Sequence, residues 1–107
     1  MALATDNVPP SLFLPVWQAA ARVDRATGRV IGPSQRLSRA AALRAATVEG
    51  AYVTFEEDQK GTIERGKLAD LAVLSDDPLT CPEERLRDII AEMTIVGGRV
   101  VYERAAR

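Results

Sequence analysis

Hydrophobic positions along this chain change their period at about residue 60. Before it they recur at helical spacing, and after it they run in short strand-like blocks. Leu12, Val16, Ala19, Ala20 and Val23 share one face of a predicted helix that Ser11 caps and that runs to about Arg25. Pro15 falls in its first turns, where a missing amide costs little. Thr27-Gly28 closes this segment, and Arg29 to Arg36 reads as an irregular loop turning at Gly32-Pro33. Ser38 is the predicted N-cap of a second helix, Arg39 to about Val48, built on alanines and Leu43. Gly50 is expected to interrupt it, with a further turn or two over Ala51 to Glu57 carrying Tyr52 and Phe55. Ahead of all this, Met1 to Thr5 reads as the end of a strand, leading into the rigid loop Asp6-Asn7-Val8-Pro9-Pro10.

The second half predicts strands. Thr62-Ile63 is a short strand candidate, and Glu64-Arg65-Gly66-Lys67 is a turn. Leu71 to Leu74 is apolar at every position, which predicts a strand covered on both faces. Asp76-Asp77-Pro78 stops it. Pro82 and Glu83-Glu84 mark a helix start between Thr80 and Leu86. Met93 to Tyr102 is a hairpin, because Gly97-Gly98 supplies the positive φ angles of a two-residue turn. The pattern as a whole is α+β.

Composition narrows the chemistry. The 14 basic and 15 acidic residues of this 107-residue chain nearly cancel. That balance gives no electrostatic case for nucleic acid or an anionic membrane. No apolar run is long enough for a membrane span, and the N-terminus lacks a signal-peptide layout, so a cytoplasmic protein is expected. Cys81 is the single cysteine and there is no histidine. Histidine is the usual general base near neutral pH and the commonest zinc ligand, so most hydrolytic constellations are out of reach of this sequence alone.

Three ordered segments nevertheless carry a resemblance. They are Ala4-Thr5-Asp6 with Val8-Pro9-Pro10; Leu37-Ser38, Ala41-Ala42-Leu43-Arg44, Gly50-Ala51-Tyr52 and Phe55-Glu56; and Lys60-Gly61-Thr62-Ile63, Gly66 to Leu74, and Thr94 to Tyr102. Together they resemble the C-terminal end of the amidohydrolase superfamily, in the amidohydrolase-3 branch that includes N-substituted formamide deformylases. The resemblance implies a distorted (β/α)8 barrel beside a small composite β-sandwich. Residues 1–58 would be the last barrel strand and helices, and 59–107 the C-terminal share of the sandwich. It implies that Asp6 ends a barrel strand, where barrel enzymes keep their chemistry, and serves as both a catalytic residue and a metal ligand. The divalent metal, zinc by preference, would belong to the complete enzyme, which hydrolyses amide or formamide carbon–nitrogen bonds. The chain by itself is expected to hold no metal and to be inactive. Its expected partners are the missing barrel and N-terminal strands, or further copies of itself. The alternative is a stand-alone α+β interaction module that forms a homo-oligomer.

Each remaining candidate has a plainer reading. Asp6, without the resemblance, is a loop or capping carboxylate; Asn7 and Pro9 read as rigid-turn residues. Asp70 is expected to satisfy backbone donors at the entry to the apolar strand, and Lys67 to be solvated. Gly97-Gly98 joins two strands, which is not the context of a phosphate loop. Cys81 has no histidine to activate it and is expected near a helix cap. Glu56-Glu57-Asp58 and Asp76-Asp77 lack the spacing of a calcium loop and read as solvated surface. Trp17, Tyr52 and Phe55 are expected in the core or against a barrel.

Overall fold

A computed structural model describes residues 1–6 and 11–106; the turn reading of Asn7 and Pro9 lies outside them. Three helices come first: α1 (Phe13–Ala21), α2 (Arg39–Ala46) and α3 (Val48–Val53), with a 3-10 turn at Pro33–Gln35 between α1 and α2. Strand β1 (Leu71–Leu74) follows, then a 3-10 helix at Glu83–Asp88, and β2 (Ala91–Val96) with β3 (Arg99–Glu103). The strands form one antiparallel sheet in the order β1-β2-β3. The α+β class predicted from the pattern is the class observed.

Helix α1 begins at Phe13 with Leu12, not Ser11, as its N-cap and no side-chain cap; the Ser11 hydroxyl, one residue further out, accepts from the Phe13 amide at 3.3 Å. It ends short of Arg25, because Arg22 turns left-handed (φ 56) and caps it. Val23 then pairs with Val30 in an antiparallel bridge. The Asp24 carboxylate closes the intervening turn, accepting from the Ala26 amide at 2.9 Å and the Thr27 hydroxyl at 2.8 Å. Ser38 caps α2 as predicted, through the Ala41 amide at 3.1 Å.

The break after α2 falls at Thr47 (φ −127, ψ −94), and Gly50 lies inside α3. The Thr47 hydroxyl donates to the Leu43 carbonyl at 2.7 Å, a local bond that competes with the helix ladder. An interior glycine costs a helix only about 1 kcal/mol.

In the second half, Thr62-Ile63 forms no strand. Gly61 (φ +102) lies so close to α3 that a Cβ there would stand 2.7 Å from Val48 Cα, and the chain bends at that contact. The 64–67 turn forms, its Lys67 amide donating to the Glu64 carbonyl at 3.2 Å. The hairpin forms too, with Gly97 at φ 56 and Gly98 at φ 79.

The Leu71–Leu74 strand is correct in place and wrong in coverage. Leu71 and Leu74 are half-buried, whereas Ala72 and Val73 are exposed. Helix α1 packs on the Glu83–Asp88 helix and on α2, while β2 is half-buried over most of its length and β3 is exposed throughout. The sheet touches the core through Leu74, which packs against a buried cluster of Trp17, Ala20, Ala21, Cys81, Leu86 and Ile89. Met1 to Thr5 takes no strand pairing in the described residues. A barrel strand needs a neighbour on its hydrogen-bonding sides, and this segment is instead tied down by the Leu3 amide on the Ala45 carbonyl at 2.9 Å.

The core is thin. Among the described residues, five of the ten buried apolar side chains are alanines. The chain exposes 7581 Å², against about 5,800 Å² expected for a compact monomer of its mass. No helix of the described residues is long and apolar enough to cross a membrane.

Candidate functional site

Asp6 is the residue on which sequence reasoning rests its chemistry. It is exposed and stands in the left-handed region at φ 51. Aspartate tolerates that conformation better than most residues, and such positions concentrate at functional sites. The segment leading to it is seated on the helices by Leu3 on Ala45 and by the terminal ammonium of Met1 on Glu49, 2.8 Å away. Among the described residues no three His, Cys, Asp or Glu side chains cluster closely enough to hold a metal ion. A catalytic zinc site draws about three protein ligands. One carboxylate and no histidine do not fit a complete metal centre, so no step is assigned to a metal held by this chain alone.

A cleft of about 450 Å³ lies between α1, α2, α3 and β1. Phe13, Val16 and Leu43 form its helical wall, and Leu71, Ala72 and Leu74 its strand wall. Lys60, Thr62 and Asp70 supply the polar groups at its border. Such a lining suits an apolar occupant. Its Thr62 hydroxyl donates to the exposed Glu64 carboxylate and accepts from the Lys67 ammonium.

The other charged candidates are structural. The Asp70 carboxylate accepts from the Gly97 amide at 2.8 Å, as expected of a residue that satisfies backbone donors. Lys67 departs from expectation. It is largely buried, and its ammonium donates to the Glu57 carbonyl at 2.6 Å and the Thr62 hydroxyl at 2.7 Å while pairing with Glu64 at 2.9 Å. The four-carbon stem lets it cross the turn, which a solvated-surface reading does not anticipate. The Thr62 hydroxyl, and after it the Lys67 ammonium, hold the Glu64 carboxyl below its ordinary range. Lys60 does the same for Glu56, which it meets at 2.9 Å. Asp76 lies against Arg85 and accepts from the Asp77 amide, while Asp77 accepts from the Leu79 amide at 2.8 Å. These acidic groups shape loops.

Trp17 is buried, with Arg87 stacked 5.0 Å from its ring centre. Tyr52 and Phe55 are not in the core. They are 65% and 89% exposed, and Phe55 also holds a left-handed φ of 60 that a bulky residue rarely adopts. Arg39 was missed. It donates to the carbonyls of Pro78 and Cys81 and so ties α2 to the loop before the 3-10 helix. Thirty-nine and 42 residues separate these pairs, and no local spacing signals them.

Comparison with known proteins places this geometry. The family described as "Amidohydrolase family" matches residues 1–102. An N-substituted formamide deformylase from Arthrobacter pascens is 35% identical over 97% of this chain. A crystal structure of an amidohydrolase from Thermotoga maritima MSB8 superposes on 96% of the chain with a TM-score of 0.65 and 24% identity, a likeness of fold. The chain spans 19% of the length of the first relative and 23% of the second.

Proposed function

Because the chain belongs to the amidohydrolase family, we propose that it forms the C-terminal portion of a metal-dependent enzyme hydrolysing non-peptide amide or formamide bonds. The observation that carries this reading is the 35% identity, over nearly the whole chain, to an N-substituted formamide deformylase. In the complete enzyme Asp6 is the catalytic carboxylate and one ligand of a divalent metal, with zinc proposed. Its remaining ligands come from outside these 107 residues. A bound metal of that kind lowers the pKa of a water and makes it nucleophilic near neutral pH.

What this chain itself supplies is a carboxylate in a strained, exposed position and the packing behind it. Residues 1–58 are proposed to lie against the barrel and 59–107 to share a sandwich with N-terminal strands. The surplus of exposed surface and the displayed Tyr52 and Phe55 support a partner-covered face. A second reading, a stand-alone module that associates with itself, draws support from the edge of β1 that takes no partner among the described residues.

The test is hydrolysis of an N-substituted formamide with zinc supplied, by the chain alone and by the same segment joined to a histidine-bearing barrel portion of the family. Turnover is expected only in the joined enzyme, falling at least ~100-fold on Asp6→Ala. Turnover by the chain alone, or indifference of the joined enzyme to Asp6→Ala, contradicts the proposal.

A further inference from the structure

The last turn of a helix leaves its carbonyls without partners inside the helix. At the end of α2 these include Leu43, Arg44 and Ala45. The Thr47 hydroxyl donates to the Leu43 carbonyl at 2.7 Å, the acceptor that the Thr47 amide takes in a continuing helix. That amide donates to the Arg44 carbonyl at 3.1 Å, a tighter turn, and Thr47 leaves the helical region at φ −127, ψ −94. An unbroken helix would next give the Ala45 carbonyl to the Glu49 amide. Here it accepts from the Leu3 amide at 2.9 Å. Ala45 is only 2% exposed, so water is a poor substitute for that donor, and a buried carbonyl without one is costly.

Leu3 belongs to the segment that ends in Asp6, the exposed residue at φ 51. We infer that Thr47 is a positioning residue for the Asp6 carboxylate. Its hydroxyl breaks α2 where the Ala45 carbonyl is opened to Leu3, and the anchored Leu3 fixes where Asp6 stands. Without the hydroxyl, α2 runs on toward α3, which begins at the next residue, Val48, and the Glu49 amide competes for the Ala45 carbonyl. Thr47 itself is exposed, so its hydroxyl can be removed without opening the core. The catalytic part of this inference rests on the role proposed for Asp6; the anchoring of Leu3 does not.

Amide hydrogen exchange on the 107-residue chain and kinetics of the joined enzyme test the two parts separately. The Leu3 amide is expected to be protected in the unmodified chain and to exchange faster in Thr47→Val and Thr47→Ala. The Ala42 amide, bonded to the Ser38 carbonyl at 2.9 Å, should keep its protection in both and show that α2 is intact. Thr47→Ser retains the hydroxyl and should restore the protection of Leu3. In the joined enzyme Thr47→Val and Thr47→Ala should lower kcat ~10- to 100-fold with KM little changed, and Thr47→Ser should stay near the unmodified enzyme.

A Leu3 amide that exchanges freely in the unmodified chain, or one indifferent to loss of the hydroxyl, overturns the inference. An unchanged kcat in a joined enzyme that Asp6→Ala disables overturns it too. Indifference of the joined enzyme to Asp6→Ala defeats the functional reading and the catalytic part with it, and Leu3 exchange then decides the anchoring alone. If circular dichroism finds Thr47→Val unfolded, Thr47→Ala against Thr47→Ser decides.

Discussion

The Asp70 carboxylate accepts a hydrogen bond from the Gly97 amide at 2.8 Å, joining the entry of β1 to the hairpin turn 27 residues away. Beside it the Gly98 amide donates to the Ala69 carbonyl at 3.0 Å. The two bonds hold the hairpin turn against the start of the edge strand. Replacing Asp70 with alanine removes one of them at an exposed position. The expected loss is about 0.5–1.5 kcal/mol, read as a lower denaturation midpoint with an unchanged denaturant slope. A midpoint equal to wild type would mean that the side-chain bond contributes nothing.

Gly61 should be irreplaceable where Gly28 is not. Both have positive φ, but a Cβ at Gly61 meets Val48 Cα at 2.7 Å, whereas one at Gly28 meets nothing within 4 Å. Gly61→Ala must strain the backbone and push the 61–63 segment off α3. A loss of more than about 1 kcal/mol is expected, exceeding that of Gly28→Ala. Chemical denaturation of the two variants compares them, and equal losses would show that φ alone sets the cost.

Leu86 is fully buried in the cluster that connects α1 to the sheet. Leu86→Ala should cost about 2–5 kcal/mol. In a core this rich in alanine, that is a large share of the roughly 5–15 kcal/mol that holds a typical domain folded. Loss of the cooperative thermal transition is the expected result; a shift of only a few degrees would mean that the cluster collapses around the gap.

The acid side of the stability profile should depend on Asp24. The Ala26 amide, and after it the Thr27 hydroxyl, hold its carboxyl below the ordinary value. A depressed folded pKa stabilises the fold above the unfolded value and loses that contribution as pH falls through the folded one. The gap in melting temperature between wild type and Asp24→Asn should therefore narrow between about pH 5 and pH 3. A gap constant over that range would contradict the assignment. Exposure of the group keeps the effect small and sensitive to salt.

Much of this architecture is written locally. Ser38 and the alanines after it specify α2, Gly97-Gly98 specifies the hairpin, and Asp76-Asp77-Pro78 stops β1, because each acts through neighbours a few residues away. What local pattern did not convey was set by long-range packing. A fully apolar Leu71–Leu74 reads as doubly covered, yet whether anything covers it depends on elements elsewhere. Arg39 reaches Cys81 across 42 residues. The break at Thr47 came from a hydroxyl competing for a backbone carbonyl, a weaker signal in sequence than the nearby Gly50. Of the candidate site, Asp6 enters through the family resemblance and not through any local pattern, whereas the cleft along β1 depends on how helices and sheet fail to meet.

The most direct test of the account is zinc binding by the chain alone, followed by calorimetric titration at neutral pH with Asp6→Ala in parallel. A single carboxylate without histidine should give no stoichiometric binding, and the two isotherms should coincide. One tightly bound zinc per chain, abolished in Asp6→Ala, would mean that these 107 residues build a metal centre unaided and would contradict the claim that the remaining ligands lie outside them.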